Sequence, residues 1–230
     1  MLSLAVDTST LSGSLAILRE EQVLAMVGAA VGETYSSRLF RHLRFLLGEN
    51  NLRMEDFDLF SVAFGPGSFT GLRVGLTAVK GWAEAFKKPV VGVSVLEAIA
   101  ARATSPKPLV AAVLDARRGQ VFAGVYGRGD GALERKGEEV VLEPRECLDW
   151  LARQATPETL ALVSPTPEVI FPFLETSPFR RGSIERVSGL LADEIGRLGY
   201  RMMKRGAAAG ALELDANYVR RSDAEVKWKD

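Results

Sequence analysis

Four glycines, two hydroxyls and one arginine fall within eleven residues at Gly65-Pro66-Gly67-Ser68-Phe69-Thr70-Gly71-Leu72-Arg73-Val74-Gly75. An apolar run, Leu59 to Phe64 broken only by Ser61, leads in, and a helix-like segment to Phe86 leads out. Strand, glycine-rich turn and helix start are the layout that aims backbone N–H groups at a phosphate, because a helix start has unpaired donors and the positive end of the dipole. Spacing alone leaves a second reading open, in which the glycines make a tight turn and let the helix pack closely. The segment is not a P-loop, since no GxxxxG and no following Lys are present, and it misses GxGxxG because Thr70 stands where the third glycine belongs. Two aspartates close apolar strands: Asp7, followed by Thr8 and Ser9, and Asp115, followed by Ala116 and Arg117. An Asp in that place either holds a metal or a phosphate-bound water, or steadies its own turn by accepting from the backbone.

Periodicity predicts the elements that must position these groups. Leu2, Leu4 and Val6 alternate as a strand, and Leu15 to Leu18 and Val23 to Val27 continue it as an antiparallel meander. A helix follows from about Ser36 to Leu47, with Leu39, Phe40, Leu43, Leu46 and Leu47 on one face and Arg38, Arg41 and Arg44 on a solvated rim. Strand 59–64, the glycine loop, a helix to Phe86, a strand at Pro89 to Val93 and a helix from Ser94 to Arg102 make one α/β lobe. Thr104-Ser105-Pro106-Lys107-Pro108 is the best linker, since two prolines break helix and sheet alike. Beyond it the opening recurs about 108 residues downstream: strand 109–114, Asp115, a turn, and strand 120–126. A helix 146–153, a strand 160–163 and a long helix of about 188–204 follow, and Ser164-Pro165-Thr166-Pro167 stands where a second glycine loop would be. The expected division is a first α/β lobe at 1–105, complete in itself, and a second, smaller lobe at 106–230 whose C-terminal segment is a candidate to return to the first. On the helix after the glycine loop, Leu72, Leu76, Val79, Ala83 and Phe86 form one apolar stripe, and Gly71, Gly75, Ala78 and Trp82 a second face. A helix apolar on two faces is either buried or at an interface. The interface version joins it to the preceding helix in a four-helix contact between two molecules, carried by Leu39, Leu43, Leu46, Gly71, Leu72, Gly75, Leu76, Val79 and Trp82.

Composition narrows the chemistry. With 47% apolar residues in 230, the chain can bury a sizeable core. Twenty-nine basic and 29 acidic side chains leave no overall field to hold a nucleic acid, so any RNA contact would be local or through a partner. Arg180, Arg181 and Arg186 make a modest basic patch, read as a solvated loop. A single histidine, His42, excludes a metal site built on two histidines, and a single cysteine, Cys147, excludes an internal disulfide and suits a reducing compartment. The start of the chain has no basic leader, and the uncharged run Val23 to Gly32 is far short of a membrane span, so a cytoplasmic protein is expected.

Two lobes, each opening with strand, Asp, turn and strand, resemble the actin, hexokinase and Hsp70 superfamily, an α/β, ribonuclease H-like fold with mixed sheets. Asp7-Thr8-Ser9, the loop from Gly65 to Arg73 with Gly75, Asp115-Ala116-Arg117 and Tyr218-Val219-Arg220 together resemble the TsaB (YeaZ) family of bacterial tRNA threonylcarbamoyladenosine modification. The likeness runs over residues 1 to about 125 and returns at 217–220; the family's proline near the end is replaced by Ala216. It implies a non-catalytic scaffold that binds TsaD and supports threonylcarbamoyl transfer to adenosine 37 of tRNA. It also implies TsaE in a larger complex, a homodimer when alone, and tRNA reached only through the complex. No catalytic residue and no metal are expected, and no cofactor is required. Weak nucleotide binding stays open at a degenerate phosphate site of Asp7, Thr8, Ser9, Gly65, Gly67, Ser68 and Asp115. The rival expectation is an autonomous ATP-dependent kinase or ATPase of the same fold, weakened by the missing second glycine loop. A metallopeptidase is a third, which the histidine count opposes.

Overall fold

The computed structural model describes residues 1–29, 35–129, 132–179, 184–207 and 214–219. In chain order the elements are β1 (Leu2–Asp7), β2 (Ser14–Arg19), β3 (Gln22–Gly28), α1 (Tyr35–Glu49), β4 (Leu59–Gly65), α2 (Phe69–Phe86), β5 (Val90–Ser94) and α3 (Val95–Ala101). They continue with β6 (Leu109–Arg117), β7 (Gln120–Arg128), β8 (Leu133–Arg135), β9 (Val140–Leu142), α4 (Pro144–Gln154), β10 (Leu160–Ser164), α5 (Phe171–Leu174), β11 (Ile184–Arg186) and α6 (Ala192–Lys204). Among the described residues the chain divides into two compact units, Met1–Val95 with Gly189–Tyr218, and Leu96–Ser188 with Val219. Each has its own sheet and core.

The first sheet has the strand order β3-β2-β1-β4-β5. Short turns make β1, β2 and β3 antiparallel, whereas the helical crossovers α1 and α2 bring β4 and β5 in parallel to β1. Side chains alternate between the two faces. Leu4, Val6, Leu15, Ile17, Phe60 and Val62 are wholly buried on the face that carries α1 and α2. The other face, with Ala16, Leu18 and Ser61, is covered by α6, whose Gly196 and Gly199 rest on Leu18 and Ser61.

That cover corrects the expectation of a first lobe complete at residue 105, and the first unit's opening stretch ends already at Val95, so that nearly all of α3 and the proline linker at 104–108 belong to the second unit. Without α6, which lies across β1, β2, β4 and β5, one whole apolar face of the first sheet would be bare to water. Leu214 adds to the same unit by packing into the core beside α2's stripe.

The second sheet repeats the pattern as β11-β10-β6-β7-β8, with β9 also paired to β7. As in the first sheet, one strand (β6) pairs antiparallel with its hairpin partner and parallel with the strand reached by a helix. The duplicated opening read from the sequence is thus a duplicated sheet topology. The three-residue strands β8, β9 and β11 escape sequence reading because so short a run shows no alternation.

Candidate functional site

The Asp7-Thr8-Ser9 turn and the glycine loop meet at the ends of β1 and β4. Asp7 Oδ1 accepts from the Ser9 amide at 2.9 Å and the Ser9 hydroxyl at 2.6 Å. The Ser68 amide donates to the Ser9 carbonyl at 2.7 Å, and the Thr8 hydroxyl donates to the Gly71 carbonyl at 2.7 Å. Ser68 caps α2, its hydroxyl accepting from the Gly71 amide at 3.3 Å. A Cβ at Gly67 would overlap Ser9, one at Gly71 the Thr8 carbonyl, and one at Gly75 the Thr8 hydroxyl. The glycines therefore admit the chain's own turn, and the close-packing reading of the loop is the one that the geometry satisfies. Gly65, at φ +136°, takes a conformation that side chains disfavour and faces the Asn217 carbonyl.

Asp7 is wholly buried here, and its Oδ2 has no hydrogen-bond partner among the described residues. Burial pushes its pKa up to about 6; the Ser9 bonds and the Leu191 backbone pull it only part of the way back. Asp115 holds the equivalent place in the second unit but is partly exposed. Its Oδ1 accepts from the Arg117 amide at 2.7 Å, its carboxylate pairs with the Arg117 guanidinium at 3.3 Å, and its own amide donates to the Thr166 hydroxyl at 3.3 Å. Each aspartate steadies its own turn. Among the described residues no three His, Cys, Asp or Glu side chains cluster as metal ligands would. Cys147 is buried on α4, where desolvation pushes the thiol up to about 12, so it stays protonated and inert. No helix among the described residues is long and apolar enough to cross a membrane. Of the basic patch, Arg180 and Arg181 lie outside the described residues, as does Arg220, while Arg186 pairs with Glu168.

The partner face needs correction. Leu39, Leu43, Leu46, Leu72, Leu76 and Val79 are core residues of the first unit, packed on Leu4, Val6 and Phe60. The stripe at 4-3-4-3 spacing is thus the buried face of an ordinary amphipathic helix. Gly71 and Gly75 are closed off by Thr8, and Trp82 is half-buried between Phe40 and Phe60, with ring centroids at 6.3 and 6.1 Å. Arg38 is buried rather than on the rim.

What remains outside is a different set. Phe40 is 61% exposed and Phe45 56%, both on α1. A groove of about 510 Å³ runs along α2, lined by Phe40, Phe69, Thr70, Arg73, Val74, Thr77 and Ala78. Phe40 lies about 100° round the helix from Leu39, which puts it at the edge of the apolar face. That offset was the available signal.

The C-terminal segment joins two of the lining residues, Phe69 and Arg73. Leu214 is buried, the Asn217 amide donates to the Phe64 carbonyl at 2.8 Å, and Tyr218 stacks on Phe69 at 5.0 Å. Arg73 donates through Nε to the Tyr218 hydroxyl at 3.2 Å, and its guanidinium lies 3.8 Å from the Phe69 ring centre. Two motif pieces 145 residues apart in the chain are brought together.

Comparison with known proteins agrees with this architecture. The family model described as "TsaD: tRNA N6-adenosine threonylcarbamoyltransferase" matches residues 26–178. The tRNA threonylcarbamoyladenosine biosynthesis protein TsaB of Bacillus subtilis is 32% identical over 99% of this chain and 98% of its own. That of Escherichia coli is 31% identical over 61% of this chain and 62% of its own. The solved YeaZ of Pseudomonas aeruginosa superposes with a TM-score of 0.74 at 27% identity, covering 94% of this chain and 99% of that one. With its α/β fold of two mixed sheets and a full-length relative of this kind, the chain belongs to the TsaB (YeaZ) family of tRNA threonylcarbamoyladenosine biosynthesis proteins.

Proposed function

We propose that this chain is a non-catalytic scaffold subunit, which binds TsaD through the outer face of α1 and α2 and supports threonylcarbamoyl transfer to adenosine 37 of tRNA. The observation that carries the proposal is the exposed aromatic groove on α2, in a chain of this family. Phe40 and Phe45 keep most of their surface in water although a buried aromatic ring contributes roughly 1.5–3 kcal/mol. An apolar groove between two helices is suited to an incoming helix. The same face serves a homodimer when the chain is alone, so the two associations compete. TsaE joins the larger complex, tRNA is met only through it, and the assembly works in the cytoplasm without a cofactor on this chain. The rival, an ATPase of the same fold, is disfavoured because the Ser68 and Gly71 amides at the start of α2 already donate to the Ser9 carbonyl and the Ser68 hydroxyl.

Thr77 is exposed in the middle of the groove, so Thr77→Arg should spare the fold and block docking. Titration with purified TsaD is expected to show at least about a tenfold loss of affinity at an unchanged melting temperature. Full affinity in a folded Thr77→Arg protein would move the contact to another surface.

A further inference from the structure

We infer that Arg73 is the anion-binding anchor of the α2 groove, held in position by Tyr218, and that its ligand is a carboxylate on the helix that docks there; this rests on the docking surface proposed above. Three observations converge on Arg73. Its Nε is tied to the Tyr218 hydroxyl, one of its faces lies on Phe69, and Tyr218 itself stacks on Phe69. These contacts leave the terminal nitrogens of the guanidinium, the fork that grips a carboxylate with two parallel bonds, without an acidic partner among the described residues. A guanidinium already fixed in one rotamer loses less freedom on binding than a mobile one.

Tyr218 is in turn fixed by its segment. Leu214 is sunk in the core, and the Asn217 amide is bonded to Phe64 at the start of the glycine loop. The segment thus has two anchors that do not involve Arg73, so the Tyr218–Arg73 contact is not needed to hold it down. Gly65 lets that strap pass, since a Cβ there would collide with the Asn217 carbonyl.

The rest of the groove is uncharged: Phe40, Phe69, Thr70, Val74, Thr77 and Ala78. One fixed cation in the lining of an otherwise uncharged trough matches an amphipathic helix with a single acidic side chain. A nucleic acid strand, with a phosphate at every nucleotide, would call for several cations along the groove.

The experiment compares Arg73→Gln, Tyr218→Phe and the double variant with Thr77→Arg, by titration with purified TsaD at low and high salt. Bare tRNA and inorganic phosphate are titrated alongside, and each variant is melted. Arg73→Gln is expected to weaken TsaD binding about tenfold and to flatten its salt dependence. Tyr218→Phe keeps the ring on Phe69, loses only the hydroxyl, and should weaken binding about two- to fivefold. In the double variant Tyr218→Phe should add nothing further, because it acts through Arg73. An Arg73→Gln protein that melts lower yet binds TsaD as tightly would make the cluster purely structural and overturn the inference. Additive losses would overturn the positioning role of Tyr218. Binding of tRNA or phosphate that depends on Arg73, with TsaD binding unchanged, would assign the anion to a phosphate instead and overturn it too. If Thr77→Arg also leaves TsaD binding intact, the docking surface itself fails; if only Thr77→Arg matters, the surface stands and the anchor falls.

Discussion

The two units of this chain are built on one plan and differ in the connection that lies beside the aspartate of their first strand. Both place an aspartate at the end of their first strand and a connection beside it after a parallel strand. In the first unit that connection is a glycine loop pressed onto the turn, and Asp7 is sealed from water. In the second it is Ser164-Pro165-Thr166-Pro167, and Asp115 stays partly exposed, holding Arg117 and the Thr166 hydroxyl. The same topology and the same turn-steadying bond thus leave one aspartate buried and the other partly open, so backbone plan alone does not fix an aspartate's exposure.

The sharpest way to break the comparison is to remove the return of the chain. A fragment of residues 1–104 retains β1 to β5 but lacks α6, so we expect it to melt without cooperativity, and a cooperative transition to reappear when residues 187–219 are supplied as a peptide. A cooperative melt of 1–104 alone would show that the bare face of the sheet is tolerated. Next in size is Gly71→Val, whose side chain has no room beside the Thr8 carbonyl. It should cost roughly 4 kcal/mol or more in denaturant unfolding, and a loss below about 1 kcal/mol would mean that turn and loop can part.

Asp7 offers a titration. The unfolded chain ionises it near the model-peptide value of 3.8, while the folded chain keeps the proton up to about 6. Between those values the folded state binds more protons, so this group's contribution to stability falls as pH rises, by about 3 kcal/mol in all. The wild-type minus Asp7→Asn stability difference should therefore drop from pH 4 to pH 6.5 and level off above. A difference that rises with pH would require an unseen cation or donor at Oδ2. The smallest effect is expected in the second unit, where Thr166→Ala removes one acceptor from the Asp115 amide. About 1 kcal/mol is expected, and a loss as large as that of Gly71→Val would erase the contrast between the two turns.

Much of this was legible in the chain. The meander, the crossovers and the echo at Asp115 all come from period and punctuation, which local sterics enforce, whereas the linker prolines mark a break inside the second unit and not its boundary. The apolar stripes of α1 and α2 were equally plain, but a stripe is silent about what covers it. Leu72, Leu76 and Val79 looked available to a partner and are covered by the protein's own sheet. Phe40 looked like part of the core face and stands in water, because one residue of offset on a helix is about 100°.

By itself the sequence determined the longer elements, the doubled plan and the family, because hydrophobic period, turn residues and motif spacing act over a few residues at a time. Only the tertiary structure decided that α6 closes the first unit and that Thr8 and Ser9 lie against the glycine loop. Only it could set Tyr218 on Arg73 beside the groove. Those are contacts between residues scores of positions apart, created when burying apolar faces forces distant segments together, and no local pattern records which distant segment will arrive.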